Sequence, residues 1–354
     1  MSPSVPSFLA RRFALVLGCL VALCVAAVGV GAGSSAAAAA TTSKKLTAAN
    51  WDSAQQQLVL GDAVMSEAPS VGFAGAAPLS AQSESGALAA IATREQVAPI
   101  AFQATASITL VRFDALLVDQ LGLGDVAEHV QQVAVAAGLA PPSYFGSEVV
   151  ARYLGVRYNH PAGEDSLELY PRSAITRAEA AHSFAVVLGL ESWALAGARE
   201  VLDGFSLPQY TPAEREVLHI AVSKIGMPYV WGGTTDNTAD GLEHGGYDCS
   251  GFAWRVYKVS GLPWGKSILG RTAAQQAGEI PKSSRIHLED VQPADLLFFG
   301  SASFEATATE ANVIHEGIAL SAQWAIHSSD QGVYVLPLTS GWLAESFTWG
   351  RRVL

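Results

Sequence analysis

Residues 246–252 read Gly-Tyr-Asp-Cys-Ser-Gly-Phe, and the apolar residues after them recur with the period of a helix that Gly261 would end. This pattern predicts that Cys249 lies in the first turn of a helix. Unpaired backbone N–H groups and the helix dipole favour a thiolate there, so we expect the thiol pKa to fall below its usual value of about 8.5. The same N–H groups can stabilise the oxyanion of a tetrahedral intermediate. The stretch therefore predicts a nucleophilic cysteine.

Two histidines provide a base for this thiol. His315 and His327 are twelve residues apart, and the segments 317–320 and 324–326 have the composition of strands joined by a turn at 321–323. Paired strands would bring both imidazoles to one face of the sheet. We expect His315 to act as the general base and His327 to orient its ring.

The composition limits the class of protein. The chain has 354 residues, of which 50% are hydrophobic, and this is enough for two packed domains. The formal net charge is -11 and no basic stripe is present. These features argue against a nucleic-acid partner, since nucleic-acid binders neutralise phosphates with Lys and Arg.

Residues 1–40 are predicted to be a signal peptide. Arg11 and Arg12 precede the apolar run 13–30, and the small residues of 34–40 suit a signal peptidase. The alternative is a membrane anchor that is retained, and the arginine pair leaves twin-arginine export open. Cleavage would leave no stable membrane span and would place the protein in the cell wall, either outside the cell or in the periplasm.

Cleavage would also settle the cysteine count. Cys19 and Cys24 lie in the predicted signal, so Cys249 would be the only thiol of the mature chain. A single thiol forms no internal disulfide. The alternative to a nucleophile is a small buried apolar residue.

An internal repeat organises the N-terminal half. The segment 41–105 is assigned to a poorly defined helical or linker region, and 106–204 to helical repeats. Residues 108–123 and 175–190 both open with Ile-Thr and close with Leu-Gly-Leu after the same gap. A third, degenerate copy is expected to begin near Leu79.

Local signals mark the ends of the repeat helices. Thr109 and Thr176 are predicted N-caps, and Glu179 would complete a capping box with Thr176. Gly122 and Gly189 are predicted helix stops.

Residues 170–180 resemble the signature of S-layer homology repeats, small helical units that pack as a trio and often bind wall polymers. Arg177 and Glu179 match the signature positions, whereas the first copy has Leu110 and Arg112 there. The resemblance implies an all-α domain with a secondary cell-wall polymer as partner. The alternative is a helical bundle with a purely structural role.

A linker and a helix start separate the halves. The segment 202–210, with Gly204 and Pro208, has linker composition. Thr211 then suits an N-cap, followed by Pro212 at the first helical position. The C-terminal domain is therefore assigned to 205–354.

Five motifs occur in this domain in a fixed order, one before the cysteine stretch and four after it. They are Gly226-Met-Pro-Tyr-Val-Trp-Gly-Gly233 leading to the cysteine, Arg271-Thr-Ala-Ala-Gln-Gln-Ala-Gly278, Val291-Gln-Pro-Ala-Asp-Leu-Leu-Phe-Phe299, His315-Glu-Gly-Ile-Ala-Leu320 and Ile326-His-Ser-Ser329. Together they resemble the NlpC-like (NlpC/p-sixty) cysteine peptidases of bacterial cell walls over about residues 212–340. The resemblance implies a papain-like α+β domain of helices and an antiparallel sheet.

The resemblance also implies further site residues. Tyr229 matches a family tyrosine that faces the nucleophile and would help to stabilise the oxyanion; alternatively it only packs beneath the turn at 232–233. Asp248 and Ser250 match positions that hold the free amine of the stem peptide in some members, and the alternative is helix capping. No cofactor is implied, and no ligand pair at metal-binding spacing accompanies Cys249, so we expect no metal.

Two positions depart from the family pattern. Glu316 stands where Val is common, and an inward carboxylate would raise the pKa of His315. Residues 301–312 are an insertion that would form a lid or a substrate-selecting loop.

These observations predict a secreted peptidoglycan hydrolase, a cysteine endopeptidase acting on stem peptides. The resemblance implies cleavage between D-glutamate and the diamino acid. Two alternatives stay open: a wall-anchoring protein whose peptidase-like domain is inactive, and an amidase or acyltransferase using the same thiol.

Overall fold

A computed structural model describes residues 51–67, 71–95, 108–237 and 244–354. The predicted signal peptide, residues 1–40, lies outside the described residues. Part of the segment 41–105 lies outside them as well.

The described part of the N-terminal half is helical, as predicted. Its helices are α1 (Ser53–Gly61), α2 (Ala81–Glu95), α3 (Leu110–Gln120), α4 (Gly124–Ala136), α5 (Phe145–Tyr153), α6 (Arg177–Gly189) and α7 (Ser192–Asp203). Among the described residues no single helix has the length and hydropathy to cross a membrane. The pair α6 and α7, bent by 99° at its break, meets that criterion of length and composition when counted together.

The three predicted repeat starts lie side by side. The N–H of Leu79 donates to the carbonyl of Ile175 at 2.8 Å, and the N–H of Ile175 donates to the carbonyl of Ile108 at 2.9 Å. The segments that open the three copies are therefore joined by backbone hydrogen bonds. Their S-layer homology character stays a prediction.

The capping predictions in this half are confirmed only in part. The hydroxyl of Thr176 accepts from the N–H of Glu179 at 3.2 Å, but the side chain of Thr109 makes no capping hydrogen bond. The predicted capping box at Thr176 is wrong, because the carboxylate of Glu179 pairs instead with Nε2 of His160 at 2.6 Å.

The C-terminal half combines helices with an antiparallel sheet, and the α+β prediction is confirmed. The helices are α8 (Pro212–Val222), α9 (Cys249–Trp254), α10 (Ala273–Gly278) and α11 (Gly341–Ser346). The strands are β1 (Thr234–Thr235), β2 (Gly246–Tyr247), β3 (Arg285–Ile286), β4 (Leu296–Gly300), β5 (Val313–Ala319), β6 (Trp324–Ser329), β7 (Gly332–Pro337) and β8 (Phe347–Arg351). Strands β1 and β2 pair with each other, and the others form one sheet in the order β3-β8-β4-β5-β6-β7 with every pairing antiparallel.

The start of α8 is formed as the sequence predicts. The hydroxyl of Thr211 accepts from the N–H of Glu214, and the Glu214 carboxylate accepts from the N–H of Thr211. Pro212 occupies the first turn, where its missing N–H needs no partner. Two backbone donors are thus satisfied reciprocally.

The predicted linker 202–210 is packed between the two halves. Phe205 is buried with its ring 4.9 Å from that of Trp324, and the hydroxyl of Tyr210 donates to the carbonyl of Leu320 at 2.8 Å. One continuous apolar cluster includes residues of both halves. The helical half therefore rests against the sheet that carries the two histidines.

Candidate active site

Cys249 is the first residue of α9, as the sequence predicts. Asp248 is its N-cap and accepts from the N–H of Gly251 at 2.6 Å. A Cβ at Gly251 would lie 1.9 Å from the carbonyl oxygen of Gly233, so only glycine permits this close approach. The helix continues beyond Trp254 as a π-helical turn.

The predicted low thiol pKa is wrong for this structure. Burial, followed by the charges of Asp248 and Glu316, raises the pKa of Cys249 to about 12, although the residue keeps some exposed surface. Hydrogen bonds from the backbone N–H groups of Ser250 and Glu316 act in the opposite direction but are weaker. Desolvation of the charged form and two nearby carboxyls outweigh the helix N-terminus.

The two histidines meet as predicted. Strands β5 and β6 pair with Gly317 opposite His327, and Nε2 of His315 lies 2.8 Å from Nδ1 of His327. Because Nε2 of His315 is used in this bond, Nδ1 is the nitrogen left for another partner.

Both imidazoles are neutral at pH 7. Burial lowers the pKa of His315 to about 3, and burial together with the neighbouring His315 lowers that of His327 well below its usual value. A neutral imidazole is the form that accepts a proton, so His315 is in the state that a general base requires.

The sulfur lies beside the strand that carries His315. The thiol of Cys249 interacts with the backbone N–H of Glu316, the residue next to His315. Among the described residues, His315 makes a hydrogen bond to His327 and none to Cys249. The thiol therefore lies at β5, and no hydrogen bond joins it to the imidazole; such bonds often form only when substrate binds.

Aromatic side chains hold the imidazoles in place. The ring of Trp342 lies 5.4 Å from that of His315, and the ring of Phe299 lies 5.8 Å from it. Tyr334, opposite His327 on β7, has its ring 4.4 Å away. The sequence argument assigned no role to Trp342 or Tyr334, and only the strand pairing would have connected Tyr334 to His327.

Asp248 caps α9, and both Asp248 and Ser250 contact Arg271. The guanidinium of Arg271 donates to both oxygens of Asp248, at 3.0 and 2.9 Å, and to the hydroxyl of Ser250 at 3.0 Å. The N–H of Gly232 donates to the same carboxylate at 2.9 Å. The substrate-binding role of Asp248 and Ser250 stays a prediction. The sequence argument noted Arg271 only as a motif residue, and its spacing from Asp248 gave no sign of this pairing.

Tyr229 lies on a segment that contacts the cysteine loop. The carbonyl of Pro228 accepts from the N–H of Tyr247 at 3.1 Å, and the N–H of Val230 donates to the carbonyl of Tyr247 at 3.3 Å. The two neighbours of Tyr229 are therefore both hydrogen-bonded to Tyr247, which is two residues before Cys249. The role of its hydroxyl stays a prediction.

Glu316 does not point toward His315, so the condition for its predicted effect on that pKa is not met. Burial alone shifts the pKa of His315, and it lowers it. Alternation along β5 directs Glu316 away from His315, since neighbouring residues of a strand point to opposite faces. Glu316 is fully buried, neither of its oxygens has a hydrogen-bond partner among the described residues, and burial raises its pKa well above the usual value.

Within the described residues no group of three His, Cys, Asp or Glu side chains is arranged to hold a metal ion. His244, which is close to Cys249 in sequence, stacks on Tyr170 with the rings 4.2 Å apart. The insertion 301–312 is held at Phe304, whose ring stacks on His287 at 3.7 Å.

Residues 226–352 match the sequence model of the NlpC/P60 family, and this part of the chain is an NlpC/P60 domain. Over 136 residues the chain is 31% identical to the bifunctional muramidase/DL-endopeptidase CwlT of Bacillus subtilis, covering 38% of this chain and 35% of that protein. Over 147 residues it is 26% identical to a gamma-D-glutamyl-L-lysine dipeptidyl-peptidase of Bacillus cereus, covering 41% of this chain and 38% of that protein. The chain thus spans little more than a third of the length of either relative.

Solved structures give a related match. A crystal structure of an NlpC/P60 family protein from Bacillus cereus aligns with a TM-score of 0.32 and 25% sequence identity, covering 42% of each chain.

Proposed function

We propose that the protein is a cell-wall hydrolase, a cysteine endopeptidase that cuts an amide bond in peptidoglycan stem peptides. Two observations support this proposal: Cys249 starts a helix and its thiol contacts the backbone of β5, and the same strand carries His315, which is hydrogen-bonded to His327. The matched relatives named DL-endopeptidase and gamma-D-glutamyl-L-lysine dipeptidyl-peptidase support the substrate class and the bond after D-glutamate.

The chemistry follows from these groups. As the sulfur attacks the carbonyl carbon, Nδ1 of His315 takes the thiol proton and the carbonyl becomes an oxyanion. Backbone N–H groups at the start of α9 and the hydroxyl of Tyr229 stabilise that oxyanion. The imidazolium gives its proton to the departing amine, which leaves a thioester on Cys249. Water, deprotonated by His315, then releases the acid and restores the thiol.

His327 keeps the reacting imidazole in one orientation. Its Nδ1 holds Nε2 of His315, which leaves Nδ1 of His315 as the nitrogen that takes the thiol proton. Both rings lie in a buried environment in which a fixed hydrogen bond is stronger than in water.

Export and wall binding belong to the same proposal. A signal peptide at 1–40 would deliver the enzyme to the wall, and the helical repeats of 106–204 would dock it on a wall polymer. In the described structure Arg177 donates to the carbonyls of Phe73 and Ser66, and Glu179 pairs with His160. A polymer would therefore bind through other groups of the repeats.

The masses of fragments released from defined muropeptides test the proposal. Wild type is expected to cut between D-glutamate and the diamino acid, and Cys249→Ala to release nothing while keeping the wild-type circular dichroism spectrum. Equal product from both proteins, or none from either, removes the peptidase and leaves the wall-anchoring alternative. Products of acyl transfer to an added amine would identify an acyltransferase instead.

A further inference from the structure

The segment that carries Tyr229 is held by the helical half. The guanidinium of Arg152 donates to the carbonyl of Gly226 at 3.0 Å, and the N–H of Tyr229 donates to the side-chain oxygen of Asn159 at 3.0 Å. Arg152 and Asn159 both lie outside the NlpC/P60 segment, before residue 226. The helical half therefore fixes both ends of a four-residue stretch of the catalytic domain.

The turn that carries Asn159 is itself firmly anchored. Tyr158 stacks on Trp51 with the rings 4.5 Å apart. His160 is buried, and its Nε2 pairs with the carboxylate of Glu179. The side-chain amide of Asn159 also donates to the carbonyl of His160 at 3.2 Å. Since the amide nitrogen is used there, the amide oxygen is held toward Tyr229.

The same stretch is bonded to the residues before the nucleophile. Pro228 and Val230, on either side of Tyr229, form two backbone hydrogen bonds with Tyr247. The carbonyl of Tyr247 also accepts from the hydroxyl of Ser328, which follows His327 on β6. Tyr247 is fully buried, and these bonds set the position of its backbone. Because Asp248 and Cys249 follow directly in the chain, their positions depend on that of Tyr247.

We propose that Asn159 is a positioning residue for the proposed peptidase reaction, on which this inference rests. Its oxygen holds the backbone at Tyr229, and through Tyr247 it sets the position of the turn that presents Cys249. The helical half is then part of the catalytic unit, in addition to any role in wall docking. A shift of about 1 Å in reacting groups can lower a rate by about a hundredfold.

Three variants of the full chain test this. Asn159→Ala removes the oxygen. Asn159→Asp keeps an oxygen that can accept from the N–H of Tyr229 but lacks the amide nitrogen that donates to His160. Gln131→Ala is the matched control, because the side-chain oxygen of Gln131 also accepts from a backbone N–H, that of Gly146, at 3.0 Å, but within the helical half. Each variant is assayed with a stem peptide for kcat and KM, and for melting temperature.

We expect Asn159→Ala to lose about ten- to a hundredfold in kcat with KM changed less than threefold, and Asn159→Asp to recover most of the loss. Gln131→Ala is expected to keep the wild-type kcat. If Asn159→Ala does not fold, Asn159→Ser replaces it. A wild-type kcat in Asn159→Ala, or a loss that Asn159→Asp does not recover, overturns the proposal.

A readout without turnover separates this inference from the proposed function. The rate at which iodoacetamide alkylates Cys249 reports the surroundings of the thiol, whether or not the protein is a peptidase. Asn159→Ala is expected to change that rate at least threefold, and Gln131→Ala to leave it unchanged. If wild type cuts no peptide but the alkylation rates differ in this way, the proposed function fails and the positioning role stands. Equal alkylation rates in all variants overturn the positioning role.

Discussion

Cys249 and His315 are both uncharged in the resting protein, because burial raises the pKa of the thiol to about 12 and lowers that of the imidazole to about 3. A preformed thiolate–imidazolium pair is therefore not the ground state. The proton moves only when a carbonyl arrives to accept the electron pair of the sulfur. Catalysis then depends on how the bound substrate brings the thiol and Nδ1 of His315 together.

This resting state predicts slow alkylation of Cys249. At pH 7 the rate with iodoacetamide is expected to be well below that of the urea-unfolded chain, and to keep rising above pH 9, because only the thiolate reacts. Mass spectrometry of the peptide containing Cys249 measures the rate and separates it from Cys19 and Cys24. A rate that levels off below pH 8 would instead show a thiolate stabilised by an imidazolium.

Glu316 predicts a stability that depends on pH. Its folded pKa is raised above the unfolded value, so the folded state binds the proton more tightly and stability falls as pH rises from about 4.5 toward the folded pKa. Glu316→Gln removes the titration. The free energy of unfolding of Glu316→Gln minus that of wild type is expected to be larger at pH 8 than at pH 5. The increase is about 1.4 kcal/mol for each pH unit between the unfolded and folded pKa values that this range covers.

Urea unfolding at the two pH values measures this difference. Glu345→Gln, at an exposed carboxyl, is the matched control and is expected to change stability by less than about 0.5 kcal/mol. The same gain for Glu316→Gln at both pH values would mean that Glu316 is ionised in the folded protein.

At the scale of single residues, the sequence predicted which histidines would meet better than it predicted the charge states of the site residues. The spacing of His315 and His327 implies a shared sheet face because side chains alternate along strands, and the structure places them in contact. The thiol pKa is raised first by burial, then by Asp248 and then by Glu316. Asp248 is adjacent in sequence, but the burial and the approach of Glu316 arise only in the folded chain. No local pattern carries that information.

The start of α9 depends on one ion pair. Arg271 contacts both oxygens of the N-cap Asp248, whose side chain is 10% exposed. Arg271→Ala would leave that carboxylate without its cation, so we expect a loss of about 1–3 kcal/mol in free energy of unfolding and lower activity. Denaturant unfolding measures the loss.

Arg199→Ala is the control for this prediction. Arg199 also contacts both oxygens of an aspartate, Asp125, but the pair is exposed. Its loss is expected to be much smaller than that of Arg271→Ala because solvent screens the interaction. Equal losses in the two variants would show that Arg271 has no special role in holding the helix start.

At the scale of elements, local chemistry predicted most boundaries. Thr211, Pro212 and Glu214 form the start of α8 because their side chains satisfy nearby backbone groups. The same pattern at Thr176 failed, since Glu179 is drawn to His160 by tertiary packing. The π-helical turn after Trp254 has no signal in the apolar pattern, which fits an ordinary helix equally well.

At the scale of the molecule, the shared core predicts one cooperative unit. Phe205 is 1% exposed and packs on Trp324, so it joins the helical half to the sheet. Phe205→Ala is expected to lower the free energy of unfolding by about 3–5 kcal/mol. Calorimetry is expected to show a single transition in wild type and in the variant.

Leu269→Ala, at a side chain that is 72% exposed, is the control and is expected to leave the melting temperature almost unchanged. Two separated transitions in wild type would show that the halves unfold independently. The sequence assigned 202–210 to a linker because Gly and Pro mark loops, and it could not predict that Phe205 and Tyr210 would be buried between the halves.

The mass of the intact protein, quenched in acid during turnover of a defined stem peptide, tests the central claim most directly. We expect a fraction of wild type to carry the mass of the acyl fragment that ends in D-glutamate, located on the peptide containing Cys249. Cys249→Ala is expected to carry no adduct and to form no product. Product formed by Cys249→Ala, while wild type stays unmodified at every quench time, would contradict the account.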